Sequence, residues 1–242
     1  MVYNFAKRVK SMIKAVIFDF DGLILDTETA WYESYKDILL RDFEFDLKKQ
    51  TFRNFIGTNN ESFEIFLKNK LNLGSSQYIN DIKEKSKLLH EKKMLSKKER
   101  NGIRSYLKEA NDLKLKKAIA TSSSKEWVEK YLQSLDLLSE FDVLVTKDDV
   151  TNTKPHPEVY TTTLKSLSMT SNEVIVFEDS QNGLEASYRA GLDTIIVPNE
   201  LTKDSTFENY FMKLNSMTET SLLEIIKKVK SFTKGRINEE YY

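Results

Sequence analysis

Short apolar runs alternate with amphipathic stretches along most of this chain. Ala15-Val16-Ile17-Phe18 is β-branched and aromatic and runs on to a turn glycine, Gly22, the pattern of a buried parallel strand. Four further runs read the same way: 117–121 (KAIAT), 142–146 (DVLVT), 173–177 (EVIVF) and 194–197 (TIIV). Between them, segment 124–134 sets Trp127, Val128, Tyr131 and Leu132 at helical spacing, and 157–167 and 183–190 also read as helices. Strands that alternate with helices predict an α/β fold built on a doubly wound parallel sheet.

Residues of about 28–100 break this alternation. Segments 29–40, 50–56, 61–71, 77–86 and 87–95 all read as helix, with no convincing strand among them. The pattern therefore predicts a helical insert, residues 28–95, after the first strand of an α/β core made of 12–27 and 96–232. Residues 1–11 are basic but lack a signal peptide's apolar core and cleavage site. They read as an N-terminal extension, either a short arm or an artefact of start-site choice. Residues 233–242 (TKGRINEEYY) read as a frayed C-terminal tail. The lysine-rich stretch 83–104 reads as a solvated helix face.

Composition narrows the class. The 242 residues carry 37 basic and 37 acidic side chains, which leaves no electrostatic footprint for nucleic acid and no polybasic membrane anchor. Cysteine is absent, which excludes disulfides, thiolate catalysis and cysteine metal sites and is compatible with a cytoplasmic location. Only His90 and His156 are present, too few for a multi-histidine metal site. No apolar stretch approaches the roughly 20 residues of a membrane helix. The pattern sets no oligomeric state, and a monomer is compatible with it.

The candidate chemistry lies at the strand ends. Asp19 and Asp21 follow the first strand, two positions apart, where open α/β sheets bind ligands. Two such charges repel unless a cation sits between them or one is protonated. A hard divalent ion with oxygen ligands is the natural occupant, and a carboxylate beside a metal-bound phosphate can act as a nucleophile. Thr121 closes the second strand and leads into Ser122, Ser123 and Ser124, an anion site, a helix cap, or both. Lys154, just before Pro155, offers an ammonium for a phosphate and a nucleophile, although a Lys-Pro pair alone is usually a surface turn. Glu178-Asp179 ends the fourth strand and complements Asp19 and Asp21 around one cation.

In this order the motifs DFDGLILDT, ATSSS, KPHPEVY and FEDSQNG resemble the haloacid dehalogenase (HAD) superfamily of phosphoryl-transfer enzymes, over residues 12–200. Within it they resemble the β-phosphoglucomutase-like group of phosphatases and mutases, whose Rossmann-like core carries a helical cap. The resemblance implies that residues 28–95 are that cap and that Mg²⁺ is the cofactor. It implies that Asp19 is the nucleophile and a metal ligand. Asp21 would be the general acid/base, with its backbone carbonyl on the metal. Thr121 and Ser122 would hold the phosphoryl group, and Lys154 would stabilise its charge. Asp179 would complete the metal site, with Glu178 as ligand or water-mediated partner. Gly22, Thr27, Trp31 and Asn60 would fall among the substrate-facing positions. The acid at Asp21 separates the chain from the metal-free dehalogenases.

The cap departs from the mutases it resembles. A histidine of that group corresponds here to Trp31, and a phosphate-gripping arginine to Asn60 in IGTNNES. Replacing arginine by asparagine removes a bidentate phosphate ligand. The expectation is therefore a Mg²⁺-dependent phosphatase acting on a small phosphorylated metabolite such as a sugar phosphate. A sugar-phosphate mutase is the alternative, with Arg53 or Lys68 as its phosphate grip, and a non-catalytic binding protein on the same scaffold is the third.

Overall fold

A computed structural model describes residues 12–56 and 60–238. Six strands form one parallel sheet in the order β3-β2-β1-β4-β5-β6. They are β1 (Ala15–Phe18), β2 (Lys116–Ala120), β3 (Val143–Val145), β4 (Val174–Glu178), β5 (Asp193–Ile196) and β6 (Met212–Lys213). The α/β expectation holds, and the five predicted strands fall within a residue of their observed ends. β1 is central, with Phe18 level with Ile119 on one side and Phe177 on the other.

Strand side chains alternate between two buried faces. Val16, Phe18, Ile119, Ile175 and Phe177 enter one core cluster, and Ala15, Ile17, Ala118, Val174 and Val176 enter the other. Helices cover both faces, so every one of these runs reads as continuously apolar. α5 (Ile103–Asp112), α6 (Lys125–Ser134), α7 (Glu158–Leu167), α8 (Gln181–Arg189) and α9 (Leu222–Asn238) follow in chain order after the helical insert.

That insert is α1 (Thr27–Phe43), α2 (Lys49–Arg53), α3 (Asn60–Lys70) and α4 (Ser76–Met94). It packs around its own aromatic cluster, in which Tyr32, Leu39, Phe52, Phe63, Leu67 and Ile82 are buried. Leu201, from the segment after β5, is buried in the same cluster. Polar ties run beside it: Arg53 Nε donates to Leu201 O at 2.7 Å, and Asn182 Nδ2 donates to Ile56 O at 3.3 Å.

Three expectations are corrected. Segments 77–86 and 87–95 are one helix, because no glycine or proline interrupts them and Ser86 is fully buried at the predicted break. Of the expected tail 233–242, residues 233–238 continue α9, which runs on to Asn238, and residues 239–242 lie outside the described residues. The solvated face 83–104 contains a fully buried His90 and a buried Met94. The expected N-terminal extension, 1–11, lies outside the described residues. Among the described residues no helix is long and apolar enough to cross a membrane.

Candidate active site

β1 ends at Phe18, and the next residue, Asp19, is buried at the carboxyl edge of the sheet. All the strands run parallel, so the ends of β2 and β4 arrive at the same edge. They bring Thr121 one residue beyond β2, Glu178 as the last residue of β4, and Asp179 just past it. Asp19, Glu178 and Asp179 offer carboxylate oxygens that all lie within 4.8 Å of one another, and all three residues are buried.

Lys154 faces this cluster from the segment before α7. Its ammonium donates to Asp19 Oδ1 at 2.5 Å, to Glu178 Oε1 at 2.7 Å and to Ala120 O at 2.9 Å. Those are three acceptors for its three protons. A buried ion pair broken on one side typically costs about 3–5 kcal/mol, which is why so complete a set of partners accompanies a buried ammonium. The two carboxylates hold Lys154 above its ordinary range against the pull of burial. Burial, with the Glu178 charge beside it, pushes the Asp19 carboxyl up to about 8, while Lys154 opposes both. Burial also raises Asp179 well above the usual carboxylate range, helped by the Glu28 and Asp19 charges.

Glu178 is fully engaged by the protein. Besides Lys154, its Oε1 accepts from Tyr160 Oη at 2.5 Å, and its Oε2 accepts from the Asp179 N–H at 3.1 Å and the Ser180 hydroxyl at 3.4 Å. Asp179 is different. Its Oδ2 accepts from Asn199 Nδ2 at 2.8 Å, but its buried Oδ1 has no hydrogen-bond partner. A buried carboxylate oxygen without a donor is costly, and a cation at that oxygen removes the cost. Gly22 has φ +85° and lies so close that a Cβ there would overlap Asp179 Oδ2 and Asn199 Nδ2. The donor set is oxygen throughout, as a hard divalent cation requires, so these residues fit one.

Asp21 is held apart from that cluster. Its Oδ1 accepts from Thr27 Oγ1 at 2.8 Å and from Trp127 Nε1 at 3.0 Å, and its Oδ2 from Ser123 Oγ at 2.5 Å. The side chain of Asp21 is therefore not among the grouped carboxylates, which corrects the pairing of Asp19 and Asp21 carboxylates around one cation and leaves the backbone carbonyl as the expected metal contact of Asp21. The two acids of the first motif diverge because successive odd positions after β1 leave the strand's pleat at the turn, where Gly22 N–H bonds to Leu25 O at 2.8 Å.

The other expected positions are placed as follows. Thr121 is buried, with its hydroxyl accepting from Ser123 N–H at 3.1 Å. Ser122 Oγ accepts the Lys154 N–H at 3.3 Å and so ties two motif loops together. Gly22 lies against Asp179, and its carbonyl accepts from Arg100 at 2.6 Å. Thr27 was expected to face substrate, yet it is buried with its hydroxyl turned to Asp21. Trp31 stacks on His90 with ring centroids 3.9 Å apart. Asn60 begins α3, and its side chain lies outside the described residues.

Several contributors were not singled out from the sequence: Glu28, Tyr160, Asn199 and Arg100. Arg100 donates to the carbonyls of Gly22, Val197 and Pro198 and so clamps two loops beside Asp179. Asn199 bridges Asp179 and Glu28. These partners lie 70 residues or more from Asp19 or on unremarkable helix positions, and no spacing rule links them to it.

His90 is fully buried on α4. Its Nε2 is 3.3 Å from Thr27 O, and its Nδ1 has no partner. Burial pushes its imidazole from 6.5 down to about 4. As pH falls, the unfolded chain therefore takes up this proton first. Stability present above pH 6.5 is lost progressively toward pH 4. Chemical denaturation at pH 7 and pH 5 should show a smaller loss in His90→Phe than in the unaltered chain. An identical loss in both would contradict this origin.

Comparison with known proteins agrees with the geometry. Residues 16–197 match the family described as haloacid dehalogenase-like hydrolase. The chain is 39% identical to YhcW of Bacillus subtilis over 220 residues, 91% of this chain and 99% of that protein. It is 33% identical to a phosphorylated carbohydrates phosphatase of Thermotoga maritima over 187 residues, 76% of this chain and 84% of that one. It also resembles the crystal structure of a CbbY variant from Rhodobacter sphaeroides in complex with xylulose-(1,5)bisphosphate. There the TM-score is 0.72 and the identity 25%, covering 88% of this chain and 98% of that one.

Proposed function

The chain belongs to the haloacid dehalogenase-like hydrolases, and from that premise we propose that it is a Mg²⁺-dependent phosphatase of small sugar phosphates, working through a phosphorylated Asp19. The observation that carries this reading is the buried group of Asp19, Glu178 and Asp179 around Lys154, with one Asp179 oxygen left unpartnered. The similarity to a phosphorylated carbohydrates phosphatase supports the sugar phosphate.

Asp19, Asp179 and the main-chain carbonyl of Asp21 would hold the metal, with Glu178 as the scaffold that orients Lys154. When bound, Mg²⁺ neutralises charge on the phosphoryl oxygens. An Asp19 oxygen attacks phosphorus, and the bond from phosphorus to the leaving alkoxide oxygen breaks. Asp21 gives that oxygen its proton. Asp21 then takes a proton from water as the water oxygen attacks the acyl phosphate, which releases phosphate and restores Asp19. Lys154 favours the ionised form of the Asp19 carboxylate and aligns it, and a bound cation would add to that. Thr121 and Ser122 line the edge from which the phosphoryl group is held. Residues 28–95 act as a cap that excludes water and sets specificity.

Hydrolysis is favoured over mutase chemistry. Arg53, a candidate second-phosphate grip, is committed to Leu201 O and to Asp204 at 3.1 Å, and Lys68 is exposed on α3. Phosphate should therefore be released from sugar monophosphates without isomerised sugar phosphate accumulating, and accumulation would favour the mutase.

The division of labour between the two acids is tested by Asp21→Asn. This variant keeps shape and backbone carbonyl but loses proton transfer. Turnover of an alkyl phosphate should fall by about a hundredfold or more, and that of p-nitrophenyl phosphate, whose leaving group needs little protonation, by much less. Equal losses on both esters would make Asp21 a structural group.

A further inference from the structure

The indole of Trp127 touches the acid/base carboxylate directly, through Nε1 to Asp21 Oδ1 at 3.0 Å. An indole N–H can only donate. Oδ1 must therefore present a lone pair to it at every stage, whichever protonation state Asp21 is in. A carbonyl oxygen is a better acceptor than a carboxylic hydroxyl, so the proton that Asp21 carries is favoured on Oδ2, the oxygen 2.5 Å from Ser123 Oγ. A hydroxyl can accept as well as donate, so Ser123 tolerates both states. Thr27 Oγ1, 2.8 Å from Oδ1, tolerates both as well. Trp127 alone among the three partners discriminates between the two carboxylate oxygens.

The same indole is one end of an aromatic stack. His90 packs on it with centroids 5.5 Å apart and rings 27° from parallel. Trp31 covers the other face of the imidazole, 3.9 Å away and 14° from parallel. Trp31 stands on α1, His90 on α4 and Trp127 on α6. The stack thus crosses from the helical insert to the sheet-bearing core and ends on a carboxylate. His90 bonds to the Thr27 carbonyl and reaches Asp21 through the Trp127 indole. Its Nε2 lies against the carbonyl of Thr27, which only accepts, so the proton is on Nε2 and the imidazole is an uncharged spacer. Trp31 and Trp127 are also the chain's two tryptophans, so fluorescence excited selectively at tryptophan reports this stack.

We propose that Trp127 is a positioning residue for the acid/base step, fixing Asp21 Oδ1 as an acceptor so that the transferable proton rides on Oδ2, and that the Trp31–His90–Trp127 stack makes this placement depend on how α1 and α4 sit on the core. The inference rests on the phosphatase reading above and adds a group that reaches the reaction only through Asp21.

The test compares Trp127→Phe, which keeps a ring in the stack but loses the N–H, with the unaltered chain. The probes are glycerol 2-phosphate, an alkyl ester, and p-nitrophenyl phosphate, both with Mg²⁺ present. Misplacing a reacting group by a fraction of an ångström to an ångström costs up to about a hundredfold. Accordingly kcat on glycerol 2-phosphate should fall by about ten- to a hundredfold with KM little changed, and kcat on p-nitrophenyl phosphate by less than about threefold. Emission from the remaining Trp31 should stay that of a stacked, shielded indole. His90→Ala, which removes the spacer, should show the same ester-selective loss together with red-shifted emission, and His90→Phe should restore both.

Equal losses on the two esters, a change confined to KM, or unaltered kcat in Trp127→Phe overturns the proposal. If that variant does not fold, the His90 pair decides: His90→Ala matching the unaltered chain on both esters overturns it. An unaltered chain that hydrolyses neither ester with Mg²⁺ present instead overturns the phosphatase reading itself.

Discussion

Asp19→Asn is expected to lower turnover by about a thousandfold or more on every phosphate ester the enzyme accepts, because loss of a covalent nucleophile commonly costs several orders of magnitude. An amide oxygen is too weak a nucleophile to attack phosphorus. The loss should not reflect unfolding. The amide oxygen can still accept from Lys154, whose bonds to Glu178 Oε1 and Ala120 O do not involve residue 19. The variant also removes one of three mutually repelling buried carboxylates. Steady-state phosphate release beside a thermal melt separates the two effects. Retention of more than about a hundredth of the unaltered rate by a folded variant would mean that Asp19 is not the nucleophile.

The second large effect is on removal of the metal. Treatment with EDTA should reduce phosphate release to background, and Mg²⁺ added in excess should restore it fully. Ca²⁺ should restore it poorly, because calcium accepts looser and higher-coordinate oxygen sets than magnesium. The reason lies in the charges. Asp19 is pushed toward the protonated state by burial and the Glu178 charge, and Asp179 by burial and the Glu28 and Asp19 charges. Lys154 and Arg100 are the cations that face them, and Arg100 spends its donors on three backbone carbonyls. A metal-free centre would therefore hold its nucleophile partly protonated near neutral pH. Full activity in chelator would show that Lys154 alone suffices to keep Asp19 reactive.

Much of the sheet and its edge is legible in the sequence because parallel strands are buried on both faces and run apolar from end to end. Ala15 to Phe18 and Val174 to Phe177 are such runs, and each is followed at once by an acid. What was overlooked divides into two kinds. Helices α5 and α9 carry plain signals: Ile103, Tyr106, Leu107 and Ala110, and likewise Leu222, Ile225, Ile226 and Val229, stand at i, i+3, i+4 and i+7 and are all buried, the spacing of an apolar helix stripe. The lysines and glutamates between them hide that stripe from a reading by local charge.

The second kind had no local signal. The two-residue strand β6 is too short to show a period. Thr27 reads as part of the phosphate-facing motif, yet its hydroxyl turns inward to Asp21 because Asp26, at the helix N-cap, takes the Thr29 N–H and leaves Thr27 as the first buried position of α1. The partners of Asp21 and Asp179, namely Trp127 and Asn199, depend on how α6 and the segment after β5 come to rest over the first motif. Trp127 reads in the sequence as one more apolar residue of an amphipathic helix. Only the fold shows that its N–H points at a carboxylate.

The most direct test of the account is to trap the phosphorylated enzyme itself. The unaltered chain, Mg²⁺ and a sugar monophosphate it hydrolyses would be mixed, quenched in acid during turnover and reduced with borohydride, which converts an aspartyl phosphate to homoserine. Peptide sequencing by mass spectrometry should then find homoserine at position 19, only when substrate was present, with Asp21, Glu178 and Asp179 unchanged. Phosphate release at full rate with unmodified Asp19, or with homoserine at another carboxylate, would contradict the account.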